Sequence, residues 1–393
     1  MKIIINILLV LLFFPALVSS AYLLVLTFLS ARLPSLPKSK TQYRFDVIVP
    51  AHNEESGIVR TVESLQAIEW PKDLFRVIVV ADNCTDRTAE YALAAGATVL
   101  RRENATLRGK GYALLHAFDA SLADDWADAY VVIDADSDVS PNILSEFAAH
   151  IARGEFAVQA HYGVRNPDKS WRTVLIAVAK GAFHIVRSRA RERIGASCGI
   201  RGNGWCVTKE LVKKVPYRAF TLTEDVEYGL TIGLAGYRVA YADEAHAKGD
   251  MVASADIAQT QRQRWEMGRF SLVRKFLPLL LKESFLKRNA VLFDQAMDLF
   301  VQPLSYVVMN ILLVIVAAAL LRPIAPESVF YVWGGVLCLI GLLIHVIRGW
   351  YVSGTGVQGL LALFRVPSYL LWKCWIMLGK KSSGWSRTER ETK

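Results

Sequence analysis

The apolar residues of this 393-residue chain are gathered at its two ends, and that distribution limits what it can fold into. Residues 3–30 are almost continuously apolar, and 299–321 and 329–347 are further apolar runs. About 20 such residues suffice to cross a bilayer. Between residues 45 and 249 short apolar runs instead alternate with charged, glycine-containing segments, the pattern of a soluble α/β domain. The 53% hydrophobic content is thus an average over two unlike parts.

Near Val18, Ser19, Ser20 and Ala21 the first run has a trace of a leader-cleavage site. It continues through Tyr22 to Leu26, which a cleaved leader does not need. An uncleaved anchor over 1–31 and a linker over 32–44 are therefore expected. The net charge of +10 comes from basic residues beside the apolar runs, among them Arg32, Lys38, Lys40, Arg44, Arg348, Lys373, Lys380, Lys381, Arg387 and Arg390. That placement fits the positive-inside signal. With no base-reading motif beside the charge, it argues against nucleic acid. The five cysteines are widely spaced without a CxxC, so neither a disulfide framework nor a zinc site is expected. A reducing compartment follows.

Within 45–255 the runs FDVIVP, RVIVVAD, ATVLRRE and YVVID read as strands, with helices expected through 65, over 88–95 and over 110–123. Alternating strands and helices imply an α/β fold with a mainly parallel sheet and helices on both faces. Ligands of such sheets sit at the carboxyl ends of the strands. The exits carry His52, Asn53, Glu54, Asp82, Asn83, Asp134 and Asp136. In YVVIDADSD, 130–138, Asp134 and Asp136 are two residues apart and can point the same way from a strand tip. Oxygen-only ligands there suit Mg²⁺ or Mn²⁺. An acidic turn is the plainer alternative. Farther on we expect a strand over 156–164, one helix over 171–193, a glycine-rich turn over 198–207, a helix N-capped by Thr223, and a strand over 237–241.

Residues 256–288 interleave arginines with apolar side chains and suit interfacial amphipathic helices. Two spans are expected within 298–348. Arg365, Pro367 and Lys373 interrupt 357–379, favouring an interfacial or re-entrant helix there. The basic tail 380–393 then shares the cytoplasm with the soluble domain, in a multi-pass protein of the inner (plasma) membrane.

The segments PAHNEE, VVADNCTD, LRGKGYAL, VVIDADSD, RGNGW, TEDVEYGL and QRQRW occur in this order, with apolar segments on both flanks. Together they resemble the membrane-bound glycosyltransferase family 2, which includes cellulose, hyaluronan and poly-N-acetylglucosamine synthases and is related to ceramide glucosyltransferases. The resemblance covers residues 46–269. It implies a GT-A nucleotide-sugar fold and inverting transfer of a sugar from a nucleotide donor. It also implies that Asp134 and Asp136 are the DXD that binds metal and diphosphate, with Asp225 of TED as the base for the acceptor hydroxyl. Glu224 is either part of that chemistry or a supporting neighbour. Asp82 stands where the family reads the base, which favours uracil, although Ala81 replaces a more common first Asp.

Pro50, His52 and Glu54 fall in the first nucleotide loop, and His52 could equally be an ordinary loop histidine. Arg108 and Lys110 are candidates near ribose and phosphate. Gln261, Arg264 and Trp265 match QxxRW, and i, i+3, i+4 spacing sets them on one helical face. An interfacial anchor is the other reading of that trio. Gly202, Asn203, Gly204 and Trp205 fall at the acceptor pocket, where Trp205 is either the floor of a sugar subsite or a core residue. The partners implied are a nucleotide-sugar donor, a glycan or lipid-linked acceptor, and membrane lipids. Polymerisation of an exopolysaccharide or envelope glycan leads narrowly over single-sugar transfer to a lipid. A polymer would call for an export partner or a homo-oligomer, because few spans are present. A non-catalytic envelope partner is a remote alternative, since every acidic position the chemistry needs is filled.

Overall fold

Runs that are apolar on both faces pair in parallel at the centre of the sheet, because only a strand covered on both sides can keep such a sequence out of water. These are β1 (Phe45–Ala51), β2 (Phe75–Asp82), β3 (Thr98–Arg102) and β4 (Ala129–Val132). Phe45, Val47, Ile48 and Val49 are fully buried, and each such side chain is worth about 1.5–3 kcal/mol. The sheet is completed by β5 (Ser137–Val139), β6 (Ala157–Val164), β7 (Trp205–Thr208) and β8 (Val239–Gly249), in the order β3-β2-β1-β4-β7-β6-β8-β5. The first four strands are parallel, β7 runs antiparallel to β4 and β6, and β5 runs antiparallel to β8. This computed structural model describes the backbone of residues 2–251 and 255–370 and the side chains of 2–251 and 266–370.

Four local expectations are corrected. The strand expected over 130–134 ends at Val132, and an unforeseen short strand, β5, begins at Ser137 at the far edge of the sheet, leaving Asp134 and Asp136 on the connection. The helix expected over 171–193 is interrupted by a π-helical turn, Gly181–Val186. Thr223 precedes its helix but makes no side-chain cap. The last strand is longer than expected, because β8 runs on past Tyr241 to pair with both β6 and β5.

Lys2–Leu29, Leu304–Leu321 and Pro326–Ser353 are long and apolar enough to cross a membrane by length and composition. Leu299 belongs to a separate helix, Ala290–Phe300, so the second such segment begins later than expected. Phe13, Leu23, Val307, Ile311, Val314 and Leu342 form the core shared by the three helices. Ile3, Leu8, Phe330, Trp333 and Leu337 point outward, an apolar surface of the kind that meets lipid. The basic-apolar segment forms one helix, Ala255–Leu286. Its Leu272, Phe276 and Leu280, four residues apart, bury against Leu292, Ala296 and Leu299.

The third long helix crosses the π-helical turn at backbone contact. A Cβ on Gly181 would lie 2.4 Å from the Gly349 carbonyl oxygen, and one on Gly349 would lie 2.6 Å from Ala182 Cβ. Tyr22 donates to Asp294 (2.9 Å) and Arg348 to Ser30 (3.0 Å), tying the apolar helices to each other and to the rest of the chain.

Candidate active site

The carboxyl ends of β1, β2 and β4 open on one rim, as expected. Pro50 and Ala51 lie in register with Val80 and Ala81, which places the first loop beside Asp82. His52 Nδ1 is 2.7 Å from the Asp82 carbonyl oxygen. One strand over, Arg102 pairs in register with Asp82 and donates to its Oδ1 at 2.5 Å, with both side chains largely buried. Asn83 Nδ2 donates to the same oxygen at 3.0 Å. Asp82 is thus a fixed, oriented carboxylate. Arg102 was not foreseen, and the only sign of it in sequence is its place at the end of the third strand.

Asp134 and Asp136 are held from several sides. Lys110, the first residue of its helix, reaches Asp134 Oδ1 at 2.6 Å and the Gly202 carbonyl at 3.0 Å. Asn203 accepts from the Asp134 backbone N–H (3.0 Å) and donates to Ser137 Oγ (2.7 Å), while Ser137 donates to Asp136 Oδ1 (3.1 Å). Gln159 in turn donates to the Asn203 carbonyl at 2.7 Å. Two carboxylates on one short connection are the hard oxygen donors that Mg²⁺ or Mn²⁺ takes. Among the described residues no three His, Cys, Asp or Glu side chains gather as a metal cluster. A cation here therefore needs oxygens from a diphosphate or water to complete its shell, and that is the habit of Mg²⁺.

Across from this pair, Glu224 and Asp225 open the helix Glu224–Leu234. Glu224 Oε1 is 3.7 Å from Lys110 Nζ. Burial raises the Glu224 carboxyl to about 7, against the pull of Lys110, and burial likewise raises Asp225. Burial alone would lower Lys110, but the carboxylates of Asp134, Glu224 and Asp225 hold it above its ordinary value. Gly202 has φ +86°, a left-handed turn that suits glycine, and a Cβ there would lie 3.3 Å from the Tyr162 ring and 3.7 Å from Asp225 Oδ2. The arrangement can hold a diphosphate on one side and accept a proton on the other.

A cavity of about 1470 Å³ contains this rim and continues well beyond it. Its walls include Pro50, His52, Glu54, Asp82, Arg108 and Lys110 at one end, and Leu304, Val308, Leu342, Val346, Leu363 and Val366 at the other. Asp134, Asp136, Gly202, Glu224 and Asp225 line the middle, together with Tyr162 and Lys180. The sequence signal for Lys180, a single cation closing the apolar run VLIAVA, went unused.

The acceptor-pocket quartet divides. Gly202 lines the cavity, whereas Asn203 is buried beneath the Asp134 connection. Gly204 packs toward Ala247, and Trp205 is 1% exposed among Phe118 and Tyr228. The sugar-floor reading of Trp205 is therefore corrected to a core residue, because β7 turns that position inward. Gln261, Arg264 and Trp265 lie outside the described side chains.

The family described as Glycosyltransferase like family 2 matches residues 43–268. A probable glycosyltransferase, YdaM of Bacillus subtilis (strain 168), is 26% identical over 261 residues, covering 64% of this chain and 60% of the relative. A beta-monoglucosyldiacylglycerol synthase of Synechocystis sp. (strain ATCC 27184 / PCC 6803 / Kazusa) is 27% identical over 234 residues, covering 57% of this chain and 47% of the relative. The chain thus spans about half to three fifths of the length of these relatives. Among solved structures, the mannosyltransferase PcManGT from Pyrobaculum calidifontis, in complex with GDP-Man and Mn²⁺, aligns with a TM-score of 0.53 at 17% identity. The alignment covers 92% of this chain and 99% of that one, a likeness that establishes the shared GT-A-like fold.

Proposed function

The chain belongs to glycosyltransferase family 2, and on that premise we propose that it transfers one sugar from a nucleoside diphosphate donor to an acceptor carried by a lipid of the bilayer. The observation that carries this reading is the single cavity joining the carboxylate rim to Leu304, Val308, Leu342 and Val346 of the apolar helices. A soluble acceptor has no use for an apolar extension of that kind, whereas an acyl chain lying along it presents its headgroup to Asp225. The preference drawn from sequence, narrowly for a polymer, is therefore reversed. The likeness to a relative named as a glycolipid synthase supports the same choice.

In this reading Asp82 accepts from the base, with a uridine donor favoured, and the loop of Pro50, His52 and Glu54 borders the nucleoside. Arg108 and Lys110 attend the phosphates. Asp134 and Asp136 would hold Mg²⁺ or Mn²⁺, which would neutralise charge on the departing diphosphate. Asp225 takes the proton of the acceptor hydroxyl as its oxygen bonds to the anomeric carbon. The carbon–oxygen bond to the diphosphate breaks on the opposite face, and its electron pair leaves with the nucleotide. A carboxyl raised by burial is a stronger base than an exposed one, which suits Asp225 to that task. Gln261, Arg264 and Trp265 are proposed to meet acceptor and diphosphate.

The test is to supply the purified full chain in lipid nanodiscs with labelled UDP- and GDP-sugars and Mn²⁺, then extract and size the products. Label in a discrete lipid bearing one sugar is expected, with loss of transfer in excess EDTA. A water-soluble ladder would establish a polymerase instead, and undiminished transfer in EDTA would remove the metal from the account.

A further inference from the structure

With Trp205 turned into the core, Tyr162 of β6 is an aromatic side chain that remains on the cavity wall beside the carboxylates. Two glycines make room for it. A Cβ on Gly202 would lie 3.3 Å from Tyr162 Cε1 and 3.7 Å from Asp225 Oδ2. One on Gly249 would lie 3.4 Å from Tyr162 Oη and 3.3 Å from Ser137 Oγ, the hydroxyl that donates to Asp136. The side chain therefore reaches from the acceptor base to the metal pair, with a ring edge toward Asp225 and its hydroxyl toward the Asp136 end. It is held from behind. Lys180 Nζ lies 2.9 Å from the ring centroid and His184 packs edge-on at 5.3 Å. Lys180 Nζ is sealed from solvent, so what it does is back the ring. Its own place is fixed, because the π-helical turn begins at the next residue and Gly181 packs against Gly349. π turns of this kind recur at functional sites.

The fold makes no use of the hydroxyl it has placed there. Tyr228 donates to the Val215 carbonyl and Tyr22 to Asp294, whereas Tyr162 Oη makes no hydrogen bond among the described residues. Nor is it shut away, as the hydroxyls of Tyr130, Tyr217 and Tyr241 are. Burial, and then the carboxylates of Asp134, Asp136 and Asp225, push the phenol well above its ordinary value, so it keeps its proton. An ionised carboxylate can only accept a hydrogen bond. Tyr162 thus brings a neutral donor to a place dominated by acceptors, on a wall formed by other elements than the helix that carries Lys110.

We propose that Tyr162 is a further catalytic residue, whose O–H donates to an oxygen of the donor's terminal phosphate as the bond to the anomeric carbon breaks. Negative charge grows on that phosphate during the step, and a donor already in position strengthens its hold there without reorganising. The tyrosine keeps its proton throughout: the acceptor's proton goes to Asp225, and the electron pair of the broken bond leaves with the nucleotide. The inference rests on the sugar-transfer reading above and is independent of what carries the acceptor. A hydroxyl of the donor sugar would offer the same acceptor chemistry, and the experiment separates the two.

Detergent-solubilised full-length protein with Mn²⁺ is titrated with UDP and UMP, and with GDP and GMP, in a calorimeter. Tyr162→Phe keeps the ring and removes only the hydroxyl. For the base that binds, it should weaken the diphosphate about tenfold, the scale of one hydrogen bond to a charged group, and leave the monophosphate unchanged. Affinity for the intact sugar nucleotide should fall less, because its terminal phosphate carries less charge before the bond breaks. In the nanodisc assay the same variant should lower kcat about 10²-fold with little change in the donor KM and an unchanged melting curve. If Tyr162→Phe melts early, Tyr162→3-fluorotyrosine, nearly isosteric and a stronger donor, replaces it and should tighten UDP but not UMP. Equal UDP affinity in wild type and variant overturns the proposal. Parallel losses for UDP and UMP make Tyr162 a support for the nucleoside end and overturn it too. A loss confined to the intact sugar nucleotide moves the contact to the sugar, which also overturns it. Failure of wild type to bind any of the four nucleotides sinks the sugar-transfer premise itself.

Discussion

At the donor end of the cavity Asp134, Asp136, Glu224 and Asp225 gather around Lys110, whereas at the junction with the apolar helices Arg187, Arg191, Arg201 and Arg269 gather around Asp298. Both clusters are charged and withdrawn from water, yet they are unbalanced in opposite senses. An acid-rich corner is completed by cations, so it suits a metal and a proton in transfer. Asp298 marks the difference most clearly: burial opposes its charge, but the four arginines hold its carboxyl far below the usual carboxylate range. Glu224 is driven the other way, chiefly by its burial and then by Asp225 and Asp134, against the pull of Lys110.

The comparison makes the two ends fail differently. Asp225→Asn should lower turnover about 10²- to 10⁴-fold with nucleotide affinity and thermal stability nearly intact, as read by steady-state kinetics and a melting curve. An equal loss of nucleotide affinity would move Asp225 from the acceptor side to the donor side. Asp298→Ala should instead cost about 3–5 kcal/mol of stability, because it leaves several buried guanidinium groups uncompensated. Denaturation in detergent checks this, and an unchanged midpoint would mean the arginines are balanced by something else.

The smallest effect concerns pH. In the metal-free protein the folded Glu224 carboxyl titrates near 7, against an ordinary value of 4.5. Between those values the folded state holds a proton that the unfolded chain has released. The stability contribution is thus present at low pH and lost as pH rises from about 4.5 through 7. Glu224→Gln should flatten that slope and gain on the order of 1–2 kcal/mol over wild type above pH 7. Parallel stability curves for the two proteins would contradict the raised carboxyl.

Much of the donor end was legible because strand exits and motif spacing are local. Asp82 and Asp134 occupy the rim that the strand exits assigned to them, and Asp225, singled out only by the family resemblance, lines the same cavity. The short strand β5 was not legible, since Ser137–Val139 is a strand only by pairing with Ala247–Gly249 of β8, far along the chain. Trp205 shows the same limit, because which face of β7 meets the cavity depends on register with β4 and β6. The arginine cluster escaped notice for a related reason. Its members come from positions 187, 191, 201 and 269, and their acid partners from 294 and 298, which only the packed helices bring together.

The claim beneath all of this is that one continuous cavity joins the donor carboxylates to the bilayer. It is tested most directly with a lipid carrying a photoreactive diazirine in its acyl chain, cross-linked to the full protein in nanodiscs and mapped by peptide mass spectrometry. The account predicts labelling at Leu342, Val346 and Leu363 on the cavity wall, reduced by a bulky residue at Ala179. Labelling confined to the outward residues Phe330, Trp333 and Leu337 would contradict it.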